Sequence, residues 1–156
     1  MKIAEIHTKK GVMKIKFFEK DAPNTVKNFI DLATYVAVND YEAELLTART
    51  GLSLAQIAER VTALVVTRGE LGADIFVGGK HHAIPCVKAD KIADPTGCGD
   101  AFRAGMLHGL TEGYDWETTG RLASLMGSIK IASQGPQNHA PSKAEIEERF
   151  HKAFGY

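Results

Sequence analysis

Cysteine is scarce: the chain of 156 residues has two, Cys86 and Cys98. Two thiols give no disulfide framework, so a reduced, cytosolic setting is expected. Cys98 lies between two glycines, where a small filler is wanted more than a reactive thiol. Net charge is also absent, with 19 Lys and Arg against 19 Asp and Glu. That removes any global attraction to nucleic acid or to an acidic membrane. No apolar run reaches spanning length, and the N-terminus lacks the apolar stretch of a signal peptide. The six histidines are scattered at spacings that suggest no zinc site, and His81-His82 suits a solvated turn. Internal repeats and low-complexity linkers are missing as well.

What is present is ordinary for one soluble domain over residues 1–156, with 44% hydrophobic and 24% charged residues. Charge is uneven, though: residues 1–20 carry six lysines against Glu5 and Glu19. A solvated hairpin face explains that excess better than a binding arm. Ala4 and Ile6 alternate with Glu5 and His7, and Met13, Ile15 and Phe17 alternate with Lys14 and Lys16. This predicts a β-hairpin over 2–18 that turns at Thr8-Lys9-Lys10-Gly11. A helix bearing Val26, Phe29, Ile30 and Ala33 should follow.

From Thr34 the rhythm changes. Tyr35-Val36-Ala37-Val38 suits a strand buried on both faces. Residues 41–50 read as a helix stopped by Gly51. Ser53 with Gln56 forms a capping box for a helix burying Leu54, Ile57, Ala58 and Val61. Residues 63–67 form a second buried strand, and 73–77 and 82–87 shorter ones joined through Gly78-Gly79. Helices are expected over about 99–111 and 116–133. Gly135-Pro136 breaks the pattern, and Ser142 with Glu145 caps a last helix. The expected class is α/β, a partial doubly wound sheet flanked by helices with an N-terminal hairpin and helix added.

One stretch carries chemistry: Asp94-Pro95-Thr96-Gly97-Cys98-Gly99-Asp100-Ala101-Phe102, followed by Arg103-Ala104-Gly105. Small residues let backbone N–H groups converge on an anion, and the helix start adds its positive dipole end. Asp100 would stand beside that anion, placed to take a proton from an attacking hydroxyl. A bare Gly-x-Gly turn is common; the whole string is far more specific. It resembles the anion-hole signature of ribokinase-like, phosphofructokinase-B type carbohydrate and nucleoside kinases. The resemblance implies Asp100 as the catalytic base and Gly97, Cys98 and Gly99 as the anion hole.

Three further segments fit the same family in order. Val65-Val66-Thr67-Arg68-Gly69-Glu70-Leu71-Gly72 resembles its nucleotide-binding turn, which implies Thr67, Gly69 and Gly72 as nucleotide contacts. Alone it would read as an ordinary strand-to-hairpin turn. Asn39-Asp40-Tyr41-Glu42 resembles the Asn-x-x-Glu motif that organises Mg²⁺. Alone, Asn39 is a helix N-cap and Glu42 a first-turn acid. Gly135-Pro136-Gln137-Asn138-His139 resembles the loop over adenine, implying Asn138 and His139 as contacts and a monovalent-cation site shared with Asp94 and Thr96. Ser124 falls where a polar adenine contact could be, or faces another helix. Mg-ATP is the implied cofactor.

The kinase resemblance covers about residues 31–156, the C-terminal part of such enzymes, and the acceptor-gripping half is not matched. Residues 1–33 instead resemble the opening hairpin and helix of a bacterial cyclophilin-type prolyl isomerase, through Ala4-Glu5-Ile6-His7-Thr8, Asp21-Ala22-Pro23 and Thr25-Val26-Lys27-Asn28-Phe29. None of that family's catalytic residues accompany them. The expectation is a chimera, by design, selection or gene rearrangement, that binds nucleotide without full phosphotransferase activity. The alternative is a non-enzymatic folded chain with idle motifs, and an active kinase or a prolyl isomerase ranks below both. Self-association through an open sheet edge is a further expectation.

Overall fold

The computed structural model describes residues 33–156 in full and residues 2–8 and 11–17 as backbone. Strands β1 (Lys2–Thr8) and β2 (Gly11–Phe17) pair antiparallel as a two-stranded sheet, Ala4 opposite Ile15 and Ile6 opposite Met13. The turn at Lys9-Lys10 and the helix expected to bear Val26, Phe29 and Ile30 lie outside the described residues.

A second sheet has the order β3 (Tyr35–Asn39), β4 (Ala63–Thr67), β5 (Ala73–Val77), β6 (Lys80–Ile84). Only β3 and β4 run parallel; β4–β5 and β5–β6 are antiparallel. The described sheet is therefore mixed, and the doubly wound expectation holds for one βαβ crossover alone. That crossover holds α1 (Asp40–Thr50) and α2 (Leu54–Ala58), each opened by a reciprocal capping box, Asn39 with Glu42 and Ser53 with Gln56. Val61 packs against the core from beyond the end of α2 rather than on it.

Strand β4 is the centre of the fold, and its side chains alternate between two cores. Leu64 and Val66 join Val36, Ala43 and Ile57 beneath α1 and α2. Val65 joins Ala73, Ile75, Ile84, Phe102, Met106 and Ala123 beneath α3 (Cys98–Thr111) and α4 (Trp116–Ile131). Helices thus cover both faces. Strand β3, by contrast, is an outer strand of this sheet. Val36 and Val38 pack against the core beneath α1 and α2 and Ala37 against the other core, while the end residues Tyr35 and Asn39 are exposed.

Strand β6 begins at Lys80, two residues before the apolar pattern suggests. Gly78 (φ 55°) and Gly79 (φ 73°) form the tight turn, so pairing starts at Val77 opposite Lys80. His81 is therefore a strand residue. Its Nε2 lies 2.7 Å from Asp74 Oδ1, and its ring stacks on Phe76 with centroids 4.8 Å apart. Helices α3 and α4 pack very closely. A Cβ on Gly105 would stand 2.8 Å from Ala123 Cα, and one on Gly109 2.6 Å from Thr119 Oγ1. Last comes α5 (Lys143–Phe154), opened by the Ser142–Glu145 capping box and held to α4 by Arg121 over the Phe154 ring, 5.2 Å from its centroid.

Candidate functional site

Parallel pairing brings two of the motifs together. Asn39 and Thr67 are register partners at the carboxyl ends of β3 and β4, the position where open α/β sheets bind ligands. Asn39 Oδ1 accepts from the Glu42 amide at 2.7 Å, and Glu42 Oε2 accepts from the Asn39 amide at 2.9 Å. The N-cap reading of both residues is thus realised. Thr67 Oγ1 donates to Val38 O at 3.4 Å, joining the two strand ends. The turn after Thr67 closes through the Arg68 amide on Gly72 O, 2.8 Å. Gly72 has φ 88°, and a Cβ there would lie 2.1 Å from Ile84 O. Gly72 is therefore fixed by packing, while Gly69 starts a short 3-10 turn over Gly69–Leu71.

The glycine turn before α3 is built on the same logic. Gly97 is the N-cap at φ 86°, and a Cβ on it would come within 3.1 Å of Pro136 O. Only glycine satisfies both the backbone and the approach. The Cys98 amide donates to Pro95 O at 3.1 Å, so it is spent inside the turn. That leaves the Gly99 and Asp100 amides, which have no intrahelical acceptor, as the first-turn donors, and Gly97 offers no side chain to cap them. Burial raises the Cys98 thiol pKa, in keeping with a filler.

Asp100 is exposed on the first turn, its side chain 79% accessible, and its Oδ1 accepts from Arg103 Nη2 at 2.7 Å. The same guanidinium lies over Gly99, where a Cβ would meet Arg103 Nη2 at 3.7 Å. A positive group therefore stands beside the uncapped turn and holds the carboxylate. The motif places Arg103 next in sequence, but only the i, i+3 geometry of the helix reveals that it lies over Gly99 of the uncapped turn.

Asp94 is a clasp. Its Oδ1 accepts from the Thr96 amide and its Oδ2 from the Gly135 amide, each at 2.9 Å. The Thr96 hydrogen bonds, then the Gly135 amide, lower its pKa from 3.8 to about 2, with Lys130 assisting. Lys130 is fully buried, and its Nζ donates to Asp94 O at 2.7 Å and to Ser133 O at 3.1 Å. In the same place the Ala93 and Asp94 amides cap Ile131 O at the end of α4, at 2.8 and 3.2 Å. Asp94 and Thr96 were expected to help hold a monovalent cation. At that place the Lys130 ammonium lies on the Asp94 and Ser133 carbonyls, while N–H groups donate to both carboxylate oxygens of Asp94.

The loop after α4 is less committed. Asn138 Nδ2 donates to Gln134 O at 2.9 Å, while His139 Nδ1 is buried with no partner among the described residues. The Ser124 hydroxyl donates to Pro85 O at 2.8 Å and accepts from the Val87 amide at 3.0 Å, pinning the segment after β6 to α4. Two clefts of about 660 and 770 Å³ run along α5, and neither is lined by Asp100 or the glycine turn. Among the described residues no group of three His, Cys, Asp or Glu could hold a metal, and no helix is long and apolar enough to cross a membrane.

The model of the pfkB family carbohydrate kinases matches residues 1–143. That match runs across the first 33 residues, so their resemblance to a cyclophilin, and the chimera inferred from it, find no support. A nucleoside kinase of Methanocaldococcus jannaschii is 35% identical over 123 residues, 79% of this chain and 41% of that protein. A Bacillus subtilis ribokinase is 35% identical over 119 residues, 76% of this chain and 40% of its own length. The structure of a Burkholderia thailandensis nucleoside kinase in complex with inosine is 57% identical with a TM-score of 0.85, covering 86% of this chain and 44% of that one. The chain thus spans less than half the length of these relatives.

Proposed function

The chain belongs to the pfkB family of carbohydrate kinases, and on that premise we propose that it supplies the nucleotide side of a kinase acting on a nucleoside or ribose-like sugar. The observation that carries this is the uncapped first turn of α3, with Asp100 and Arg103 at its edge. The Burkholderia relative has been solved with inosine and with ADP-inosine, which favours a nucleoside as acceptor.

In the proposed transfer the acceptor hydroxyl attacks the γ-phosphorus of ATP, its proton passes to the Asp100 carboxylate, and the bond to the β–γ bridging oxygen breaks to release ADP. The Gly99 and Asp100 amides and the positive end of α3 stabilise charge growing on the phosphoryl oxygens. Arg103 must release Asp100 before the proton moves, and its charge then serves the phosphate. Magnesium, when bound with nucleotide, neutralises phosphate charge. The Glu42 oxygen left over from the capping box would hold it through water. Thr67, Gly69 and Gly72 shape the neighbouring strand-end turn, and Asn138 and His139 the loop that would cover the base.

Asp100 is highly exposed and lines neither of the two clefts along α5. This chain is therefore proposed to bind nucleotide well and transfer phosphate slowly by itself. Calorimetry with Mg-ADP should give saturable binding at or below roughly millimolar concentration. Asp100→Asn should keep that affinity while removing any coupled turnover. A folded chain with no saturable heat would show that the motifs are idle.

A further inference from the structure

We infer that the Lys130 ammonium is a built-in monovalent cation: it organises the phosphate-binding turn and the loop behind it, and it makes both independent of potassium or sodium. The inference concerns the chain without nucleotide, so it does not depend on the proposed function.

Lys130 is in the last turn of α4, yet it is fully buried. A lysine is rarely so enclosed unless its charge is matched by acceptors. Here the acceptors are main-chain carbonyls from two different segments, Asp94 O before the glycine turn and Ser133 O after α4. A unit positive charge bridging carbonyl oxygens at the negative end of a helix is the arrangement a bound alkali ion would adopt. The segments it joins are those that Asp94 also ties, through the amides of Thr96 and Gly135. Gly97 and Pro136 touch beside them.

Tethering changes how such a site behaves. A free ion occupies its site according to its concentration, whereas an ammonium carried on α4 is always present. A second cation entering beside it would meet like charge at short range.

Thermal melting of the nucleotide-free chain tests this in KCl, NaCl and tetramethylammonium chloride at equal ionic strength. The midpoints should agree within about 1 °C, and Mg-ADP affinity should change less than about twofold between salts. Lys130→Met should melt lower in tetramethylammonium and recover part of the loss in KCl, as an ion enters between the vacated carbonyls. A selective rise in midpoint or affinity of the unsubstituted chain in KCl overturns the inference, and so does a Lys130→Met midpoint equal to that of the parent. Should Lys130→Met not fold, the salt series on the unsubstituted chain decides alone. A chain that melts independently of potassium but binds no nucleotide would keep this inference and remove the proposed function.

Discussion

Arg103 and Asp100 are three residues apart on one helical turn, and their ion pair is not a source of stability. Both side chains are largely exposed, and such pairs contribute little to folding. Their value is positional. Arg103→Ala should weaken Mg-ADP binding by roughly tenfold or more, the weight of one charge-assisted contact of about 1.5 kcal/mol. Asp100→Asn should leave that affinity within about twofold, since the carboxylate repels phosphate as much as it orients Arg103. Titration calorimetry on both variants separates the roles, and equal losses would contradict them.

Asp94 permits a prediction with a sign. Its carboxyl is held down from 3.8 to about 2, so the folded state favours the charged form. The stability it contributes is fully present above the ordinary value and is lost as pH falls toward 2. Asp94→Asn should therefore lower the melting midpoint at pH 7, and its difference from the parent should shrink between pH 4 and about 2. A difference that stays constant across that range would place the effect elsewhere.

Among the elements, the turn between β4 and β5 is fixed by one contact. Gly72→Ala must resolve a Cβ at 2.1 Å from Ile84 O at φ 88°, and the carbonyl belongs to the end of β6. Strain and overpacking together should cost roughly 3 kcal/mol or more, and the midpoint should fall by several degrees or the chain fail to accumulate. A variant that melts like the parent would mean that β6 can move away freely.

The same elements show what the chain reveals by inspection. The capping boxes at Asn39, Ser53 and Ser142 are legible because each is a bond between residues three apart. The glycine turn is legible for the same local reason. Lys130 is not: within the pattern of α4 a lysine reads as solvent-facing, and its partners Asp94 and Ser133 are defined only when the chain folds back. Strand β3 is legible in part. Its apolar run packs on both faces, but its outer place in the described sheet depends on neighbours that no local pattern encodes. The start of β6 at Lys80 escapes because an outer strand tolerates Lys and His where apolar alternation would otherwise mark it.

At the scale of the whole molecule the two outer strands of the mixed sheet differ. Strand β6 carries Lys80, His81 and His82, polar residues that discourage further pairing, whereas β3 has no charged residue. Self-association is therefore expected through β3. The sedimentation coefficient should rise with concentration, and a constant monomer value would rule this route out. The relatives are more than twice as long as the matched region.

One contact has a further consequence. Gly97 fits against Pro136 too tightly for a methyl group, and Asp94 grips Thr96 on one side and Gly135 on the other. Two segments forty residues apart in sequence are thereby bound into one cooperative unit. Their amides should exchange with deuterium through a single shared opening, with Thr96 and Gly135 released together. Loosening either segment would then open the other, so the phosphate turn and the loop behind it breathe at one common rate.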